Sequence, residues 1–270
     1  MLKKRVIAVI LDCDGQVVQS VRFRHTNVVH YDTRHAVEAF ASWSVDEIVL
    51  LNVSKSPGSR EKFVGTLKEV SKHCFLPLAV GGWIADRSYA DELLRNGADK
   101  LVVNTLLADA PDLFASMAKQ YGRQCMVASV DIGRQESYAL AVWVDRGRRP
   151  VPVDPADWAR RAQQLGAGEI LFNSIEHDGA RRGYDLENLG RICQAVDIPV
   201  IGFGGVFSWQ HLHEGIDVGC AAVAAANQFH YQESATRRAK SYLAEQGVAV
   251  RREGRSLFGA ATSPSIKPGA

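Results

Sequence analysis

The amino-acid sequence of 270 residues predicts a single (β/α)8 barrel built from two half-barrel repeats. Three observations carry this prediction. Eight apolar runs alternate with helical patterns, the length is near the roughly 250 residues typical of such barrels, and the two halves of the chain are weakly similar. An open doubly wound sheet is the alternative that the same alternation allows.

The candidate strands are short and mostly apolar, as expected for parallel strands buried on both faces. They cover residues 5–11, 47–53, 77–80, 100–103, 124–130, 169–173, 199–203 and 221–225. Amphipathic stretches predict helices at residues 33–42, 60–73, 89–96, 112–121, 155–165, 186–196, 211–216 and 234–246. Asp86 and Asp154 are suited to helix starts, and Pro155 to a first helical turn.

Two segments depart from the alternation of strand and helix. Residues 137–153 contain an alternating run, the turn sequence DRGRRP and a short apolar run, which together predict a small hairpin inserted after strand five. Residues 253–270 are rich in Gly, Ser, Ala and Pro and predict a loose C-terminal tail. We therefore expect the barrel to span residues 1–252.

The two halves resemble each other in three places. DEIVLLNVS at 46–54 is similar to GEILFNSIE at 168–176, LPLAVGG at 76–82 to IPVIGFGG at 198–205, and NGADKLVVNT at 96–105 to DVGCAAVAAAN at 217–227. Two four-strand halves that close one barrel explain this repeat, whereas independently folded halves would each expose a sheet edge.

Composition narrows the function classes. Lys and Arg number 32 against 30 Asp and Glu, so charge gives no case for binding nucleic acid or an anionic membrane. No apolar run reaches the roughly 18 residues of a membrane span, and the apolar start predicts a core strand rather than a signal peptide. The five scattered cysteines suggest structural thiols in a reducing cytoplasm, and no spacing suggests a metal.

Glycine pairs follow two related strands and suggest phosphate binding. Gly81–Gly82 and Asn104–Thr105 in the first half correspond to Gly204–Gly205 and Asn227 in the second. Glycine lets backbone N–H groups approach an anion closely, and a following helix start adds partial positive charge. A single pair fits a tight turn equally well, but its repetition in both halves favours one phosphate site per half.

Long motifs then connect the chain to a known family. They include KRVIA at the start, VDEIVLLNV, PLAVGG, GADKLVVNT, GAGEILFNSIEHDG, IPVIGFGG and the ending QGVAVR. Over roughly residues 1–252 the chain resembles the cyclase subunit family of imidazole glycerol phosphate synthase, the HisF-like proteins of histidine biosynthesis. The resemblance implies a barrel without cofactor or metal that receives ammonia from a HisH-like glutaminase at its N-terminal face. It also implies that the ammonia joins a bisphosphate substrate at the C-terminal face.

The resemblance also assigns residues to two sites. The phosphate-binding positions that it implies are Gly82, Asn104, Thr105, Asp178, Gly179, Gly205 and Asn227, where Asn227 replaces a usual serine. The ring through which ammonia enters is matched by Arg5, Glu47, Lys100 and Glu169, each near the start of a strand. From the residues alone, salt bridges that only close the barrel base explain the same ring.

The catalytic rim departs from the family. The family uses two carboxylates at the ends of strands one and five, and Asp131 matches the second of them. Leu11 stands at the first, with Gln19 and Asn52 replacing a lysine and a further acid. Because neighbouring side chains on a strand point to opposite faces, Asp12 points outward if Leu11 points inward, and a one-residue slip would reverse them. We expect Leu11 inward and keep Asp12 as the second catalytic candidate.

Three functions remain open at this point. A leucine at position 11 is similar to a divergent branch of the family. Members of that branch work with a glutaminase and a sugar amidotransferase to build acetamidino groups on sugars, and we favour such a paralogue. The ordinary histidine-pathway cyclase or lyase is one alternative, and a scaffold that only delivers ammonia is another. His177 and His230 near the rim are more simply structural, and Trp83 stands where the family has glycine and narrows the pocket.

Overall fold

Twelve strands and ten α-helices form the described part of the chain. The computed structural model describes residues 2–135, 137, 139–230 and 234–251, with the side chains of residues 25 and 26 outside the description. The strands are β1 (Arg5–Cys13), β2 (Gln16–Val21), β3 (His25–His30), β4 (Glu47–Asn52), β5 (Leu78–Gly81), β6 (Lys100–Val103), β7 (Met126–Arg134), β8 (Leu140–Val144), β9 (Arg149–Val151), β10 (Glu169–Ser174), β11 (Val200–Phe203) and β12 (Ala222–Ala225). The predicted tail at 253–270 lies outside the described residues.

The helices are α1 (Thr33–Ser42), α2 (Arg60–Ser71), α3 (Arg87–Arg95), α4 (Thr105–Asp109), α5 (Pro111–Tyr121), α6 (Pro155–Gln164), α7 (Leu186–Ala195), α8 (Trp209–Asp217), α9 (Asn227–His230) and α10 (Ala235–Glu245). The predicted caps are confirmed, since Asp86 and Asp154 accept hydrogen bonds from backbone N–H groups in the first turns of α3 and α6. The sequence analysis missed the short helices α4 and α9. None of the described helices has the length and apolar character that a membrane span requires.

Eight of the strands close into a parallel barrel in the order β1, β4, β5, β6, β7, β10, β11 and β12. The pairing of β12 with β1 completes the ring and excludes the open doubly wound sheet. The predicted (β/α)8 barrel is confirmed. Barrels of this kind carry their functional sites at the C-terminal face, where the loops after the strands meet.

Two antiparallel hairpins rise from this face. β7 continues beyond the barrel and pairs with β8, which pairs with β9, so the hairpin predicted after strand five is confirmed. A second hairpin of β2 and β3 follows β1, where the sequence analysis placed no element. Arg22 and Phe23 in its turn have φ of 50° and 58°, so the turn lacks the glycine that usually signals a hairpin.

The strands separate two apolar cores. Ile7, Val9 and Leu11 of β1 pack inside the barrel with the inward residues of the other strands. Val6 and Ile10 point the other way and pack against the helices. This alternation follows from the period of two along a strand.

Candidate functional site

A cavity of about 410 Å3 opens at the C-terminal mouth of the barrel. Five of the predicted site residues line it, namely Gly82, Asn104, Thr105, Asp131 and Asp178. A smaller cavity of about 40 Å3 is lined by Asp178, Gly179, Gly205 and Asn227. Leu11, Asp178 and Phe203 line both cavities, so the two predicted phosphate sites lie on either side of these residues.

Among the described residues, Asp131 and Asp178 are the two buried carboxyl groups that line the larger cavity. Asp131 accepts hydrogen bonds from Ser129 Oγ at 3.1 Å and from Asn104 Nδ2 at 3.3 Å. Desolvation, with a smaller contribution from the charge of Asp178, raises the pKa of Asp131 to about 7. A carboxyl group that titrates near neutral pH can both accept and donate a proton, which suits general acid–base chemistry.

At the end of β1, where the family has its first catalytic carboxylate, no carboxyl group points into the barrel. Leu11 packs in the interior core and lines the cavity, as the sequence analysis expected. Asp12 is fully buried on the opposite face of β1, where its carboxylate accepts hydrogen bonds from Thr33 Oγ1 at 2.6 Å and Gly15 N at 3.3 Å. The structure therefore does not bring Asp12, the second catalytic candidate, to the mouth.

The two other departures from the family also lie at the mouth. Asn52 lines the larger cavity and donates from Nδ2 to Ser59 Oγ at 3.0 Å, while its Oδ1 accepts from Ser54 N at 3.1 Å. Gln19 lines the smaller cavity. Asn52 thus shapes the loop after β4 and adds no titratable group to the cavity.

Asp178 holds the first hairpin closed. Its carboxylate accepts from Ser20 Oγ and, at 3.2 Å, from Phe23 N, while its backbone oxygen accepts from Arg22 N at 3.1 Å. Burial raises the pKa of this carboxyl group. A carboxylate repels a phosphate, so the contacts support a positioning role for Asp178 and leave the anion to neighbouring backbone N–H groups.

Glycine is required at the centre of each predicted phosphate site. Gly82 has φ of 101°, and a Cβ there would collide with the backbone oxygen of Asn52. Gly205 has φ of 85°, and a Cβ there would collide with the backbone oxygen of Gly183. Both glycines therefore bring backbone close to the cavities in a conformation that other residues rarely adopt.

The four predicted ring residues meet at the base of the barrel. The distances are 2.5 Å from Arg5 to Glu47, 2.8 Å from Arg5 to Glu169, 2.9 Å from Lys100 to Glu47 and 3.0 Å from Lys100 to Glu169. Each base contacts both acids, and each acid contacts both bases. The alternating square balances its own charge around the barrel axis.

The contacts of the two histidines near the rim, His177 and His230, favour a structural role for both. His177 Nδ1 lies 2.8 Å from the backbone oxygen of Gly183. His230 is packed 4.9 Å from the Phe40 ring and 5.2 Å from the His30 ring, measured between centroids. Burial and the neighbouring His30 lower the pKa of His230 to about 3, so its ring is neutral.

Two cavity-lining arginines were missed by the sequence analysis. Arg146 in the second hairpin lines the larger cavity, and Arg181 in the loop after β10 lines the smaller one. Each lies over an aromatic ring, Arg146 over Trp83 and Arg181 over Phe207. The only available signal was the arginine content of DRGRRP and ARRGYD, which fits an exposed turn equally well. Across the described residues, no cluster of three His, Cys, Asp or Glu side chains is placed to hold a metal.

Comparison with known proteins agrees with this geometry. The family of histidine biosynthesis proteins matches residues 5–235. HisF, the imidazole glycerol phosphate synthase subunit of Streptomyces coelicolor, is 38% identical over 250 residues, covering 93% of this chain and 99% of the relative. The HisF of Chlorobium phaeobacteroides is 37% identical over 255 residues, covering 93% and 100%.

A protein of Vibrio vulnificus, provisionally named imidazole glycerol phosphate synthase subunit hisF2, is 38% identical over 252 residues, covering 93% of this chain and 92% of the relative. These matches confirm the resemblance that the motifs indicated. With the barrel and its mouth, they show that the chain belongs to the histidine biosynthesis protein family as a HisF-like cyclase subunit.

Proposed function

We propose that this HisF-like subunit accepts ammonia from a glutaminase partner and uses it on a phosphorylated substrate, with chemistry that differs from the ordinary cyclase. One observation carries the proposal: the mouth holds Asp131 on β7, but the corresponding position on β1 is Leu11. Ring closure by paired carboxyl groups needs one to accept a proton and the other to donate it. Asp131 lacks that partner across the barrel.

The substrate is anchored by its phosphates. Gly82 and Thr105 hold one phosphate, and Gly205 and Asn227 hold the other. Asp131 lies beside the first of these sites, where it accepts a hydrogen bond from Asn104. There its carboxylate takes a proton from the attacking nitrogen, and its acid form returns a proton later in the reaction. These two proton transfers need only one titratable group, so they fit a single amination better than a ring closure.

The sugar branch is the form of altered chemistry that we favour. Leu11, Leu51, Val102, Leu171 and Phe203 give the larger cavity an apolar wall around Asp131. In this reading the aminated product passes to a sugar amidotransferase that completes an acetamidino group. The intact ring at the base supports ammonia entry, and it equally supports a scaffold that delivers ammonia without chemistry of its own.

The test is the cyclase reaction itself. We expect the wild-type chain, given the cyclase bisphosphate substrate and ammonium salts, to turn over at least about 10²-fold more slowly than an ordinary cyclase. Leu11→Asp supplies the missing carboxyl group and should recover part of that rate. Asp131→Asn should remove the remaining activity in both backgrounds.

Leu51→Asp is the matched control, because Leu51 pairs with Leu11 in the sheet and lines the same cavity. A carboxylate at that neighbouring position should recover nothing. Ordinary cyclase activity in the wild type that is lost on Asp12→Asn would contradict the assignment of Leu11, rather than Asp12, to the mouth of the barrel. No binding of the bisphosphate to the wild type would instead favour the scaffold.

A further inference from the structure

Two of the five cysteines meet beside the base of the barrel. Cys193 lies in the last turn of α7, and Cys220 lies shortly before β12, 27 residues later in the chain. Their Sγ atoms are 3.9 Å apart, within contact distance for two sulfurs. The sequence analysis treated all five cysteines as scattered structural thiols, because only the packing of α7 against the barrel brings these two together.

Close packing holds the two sulfurs in these positions. A Cβ on Gly219 would lie 3.1 Å from the Cys193 Cβ, so a glycine before Cys220 lets α7 approach this closely. A Cβ on Gly202 of β11 would lie 3.2 Å from Cys220 Sγ, so that strand supports the second sulfur from below. Side chains in an interior of this density have few alternative positions. The two sulfurs are therefore lasting neighbours in the folded protein.

The surroundings distinguish the two thiols chemically. Cys193 is half-buried, whereas Cys220 is fully buried. A hydrogen bond from the Cys220 thiol, with a smaller contribution from the charge of Lys4, lowers the pKa of Cys193. The same pairing, together with burial, raises the pKa of Cys220. Because the thiolate is the reactive form, Cys193 is the thiol that attacks and Cys220 is the one that keeps its proton.

The pair lies apart from the sites described above. Neither cysteine lines a cavity at the mouth or belongs to the charged square at the base. Among the described residues no third His, Cys, Asp or Glu joins them in a group that could hold a metal. The chemistry open to two adjacent sulfurs, one partly accessible, is oxidation to a disulfide.

We propose that Cys193 and Cys220 form a peroxide-sensitive thiol pair that closes an intramolecular disulfide between α7 and the segment before β12. First the Cys193 thiolate attacks one oxygen of the peroxide and the O–O bond breaks. The departing hydroxide takes a proton and becomes water, which leaves Cys193 as a sulfenic acid.

The buried thiol completes the reaction. The Cys220 sulfur attacks the Cys193 sulfur, the S–O bond breaks, and the hydroxyl group leaves as water with the Cys220 proton. In total the two thiols lose two electrons, and the peroxide is reduced to two molecules of water.

The disulfide forms next to the base of the barrel. Lys4 Nζ donates to the Cys220 backbone oxygen at 2.7 Å, and Arg5 N donates to that of Ala221 at 3.4 Å. The sulfurs have to approach from 3.9 Å to about 2 Å, so the bond draws α7 towards the segment that adjoins the charged square. The inference is independent of the proposed function, because it involves neither cavity.

Peroxide treatment of the full chain tests the pair. Reduced protein, freed of reductant and kept dilute, is treated with hydrogen peroxide at neutral pH and then alkylated. Peptide mass spectrometry should show a disulfide that links Cys193 to Cys220 and that dithiothreitol reverses. Cys193 should be consumed at least about tenfold faster than Cys74, because burial raises the pKa of Cys74.

Serine variants separate the two steps. Cys220→Ser removes the second thiol, so peroxide should leave Cys193 as a sulfenic acid that dimedone traps. Cys193→Ser should give neither a disulfide nor a dimedone adduct at Cys220. Cys74→Ser is the matched control, because Cys74 is also partly exposed but its sulfur contacts the Leu76 backbone oxygen at 3.7 Å. That variant should form the disulfide as the wild type does.

The wild-type result decides the proposal even where a variant does not fold. Peroxide-treated wild type without the Cys193–Cys220 disulfide, or with either cysteine linked elsewhere, would overturn it. A dimedone adduct on Cys220 in Cys193→Ser, with none on Cys193 in Cys220→Ser, would overturn the order of the two steps. Equal consumption of Cys193 and Cys74 would also count against a pair built for this reaction.

Discussion

At Asp131 the burial of a carboxyl group couples protonation to folding. The folded protein holds the pKa at about 7, whereas an unfolded chain has a value of about 3.9. Below about pH 4 both states are protonated, and the burial of Asp131 imposes no charge penalty. As the pH rises towards 7 the unfolded state releases its proton more readily, so the stability of the folded protein falls, and above 7 the full penalty remains.

Replacement of this group should remove that pH dependence. We expect Asp131→Asn to stabilise the protein at pH 8 by roughly 2–4 kcal/mol, because each unit of pKa difference corresponds to about 1.4 kcal/mol. At pH 4 the same substitution should change stability far less. Urea denaturation at the two pH values measures the difference.

The exposed Asp112 in the first turn of α5 provides a control for that measurement. Asp112→Asn should alter stability equally little at pH 4 and at pH 8. An Asp131→Asn effect of the same size at both pH values would mean that Asp131 is not the group that titrates.

Among the elements, the hairpin of β2 and β3 depends on a contact that is remote in sequence. Ser20 and Phe23 reach Asp178, which lies more than 150 residues later in the chain. Phe23 at the turn of this hairpin lies close to Gly147 at the turn of the hairpin of β8 and β9, because a Cβ added to Gly147 would lie 2.9 Å from the Phe23 ring. The two hairpins and Asp178 together enclose the top of the cavity.

Loss of the Ser20 hydroxyl should loosen this hairpin without disturbing the barrel. A buried hydrogen bond to a charged group contributes about 1.5–3 kcal/mol, so Ser20→Ala should speed amide exchange in β2 and β3 by at least about tenfold. Exchange in β10 and β11 should stay unchanged. Hydrogen–deuterium exchange with peptide-level mass spectrometry provides the measurement.

Ser42→Ala is the comparison variant, because the exposed Ser42 hydroxyl donates to the Ala39 oxygen of its own helix at 2.7 Å and to no other described residue. That variant should leave the exchange of β2 and β3 as in the wild type. Equal exchange of these strands in wild type and Ser20→Ala would show that Asp178 does not hold the hairpin.

The two hairpins show what sequence can and cannot predict here. The hairpin of β8 and β9 was predictable, because Gly147 lies in a charged turn between alternating runs. The hairpin of β2 and β3 was not, because its turn places Arg22 and Phe23 in conformations that usually require glycine. Likewise strand alternation predicts that Leu11 and Asp12 lie on opposite faces of β1, whereas the pairing of Arg146 with Trp83 depends on tertiary packing.

For the whole molecule, the charged square at the base lies at the opposite end of the barrel from the mouth. If ammonia enters here from a docked glutaminase, Lys100→Glu should impair the glutamine-driven reaction by about tenfold or more relative to the ammonium-driven one, a factor equivalent to 1.4 kcal/mol. Ammonium supplied in solution reaches the mouth directly and bypasses the ring. The two rates in one preparation, each divided by its wild-type value, provide the measurement.

Lys72→Glu offers a control, because Lys72 pairs with Glu69 on the exposed surface and takes no part in the ring. Its two rates should change together, if at all. A Lys100→Glu variant that loses both rates equally would indicate a role in barrel closure only. Recovery of a glutaminase by pull-down with the wild type, but not with Lys100→Glu, would place the docking face at the base.

If ammonia passes from the base to the mouth, the interior of the barrel decides whether it passes as the ion or as the neutral molecule. Above the charged square, Ile7, Val9, Val49, Val127 and other apolar side chains fill the axis of the barrel up to Leu11. An ammonium ion on that path would lose its hydration shell without gaining a counter-charge, whereas neutral ammonia would not face this penalty. If ammonia takes this path, the apolar interior admits only the neutral molecule, so a proton stays behind at the base and the receiving site has to supply every proton that the reaction needs.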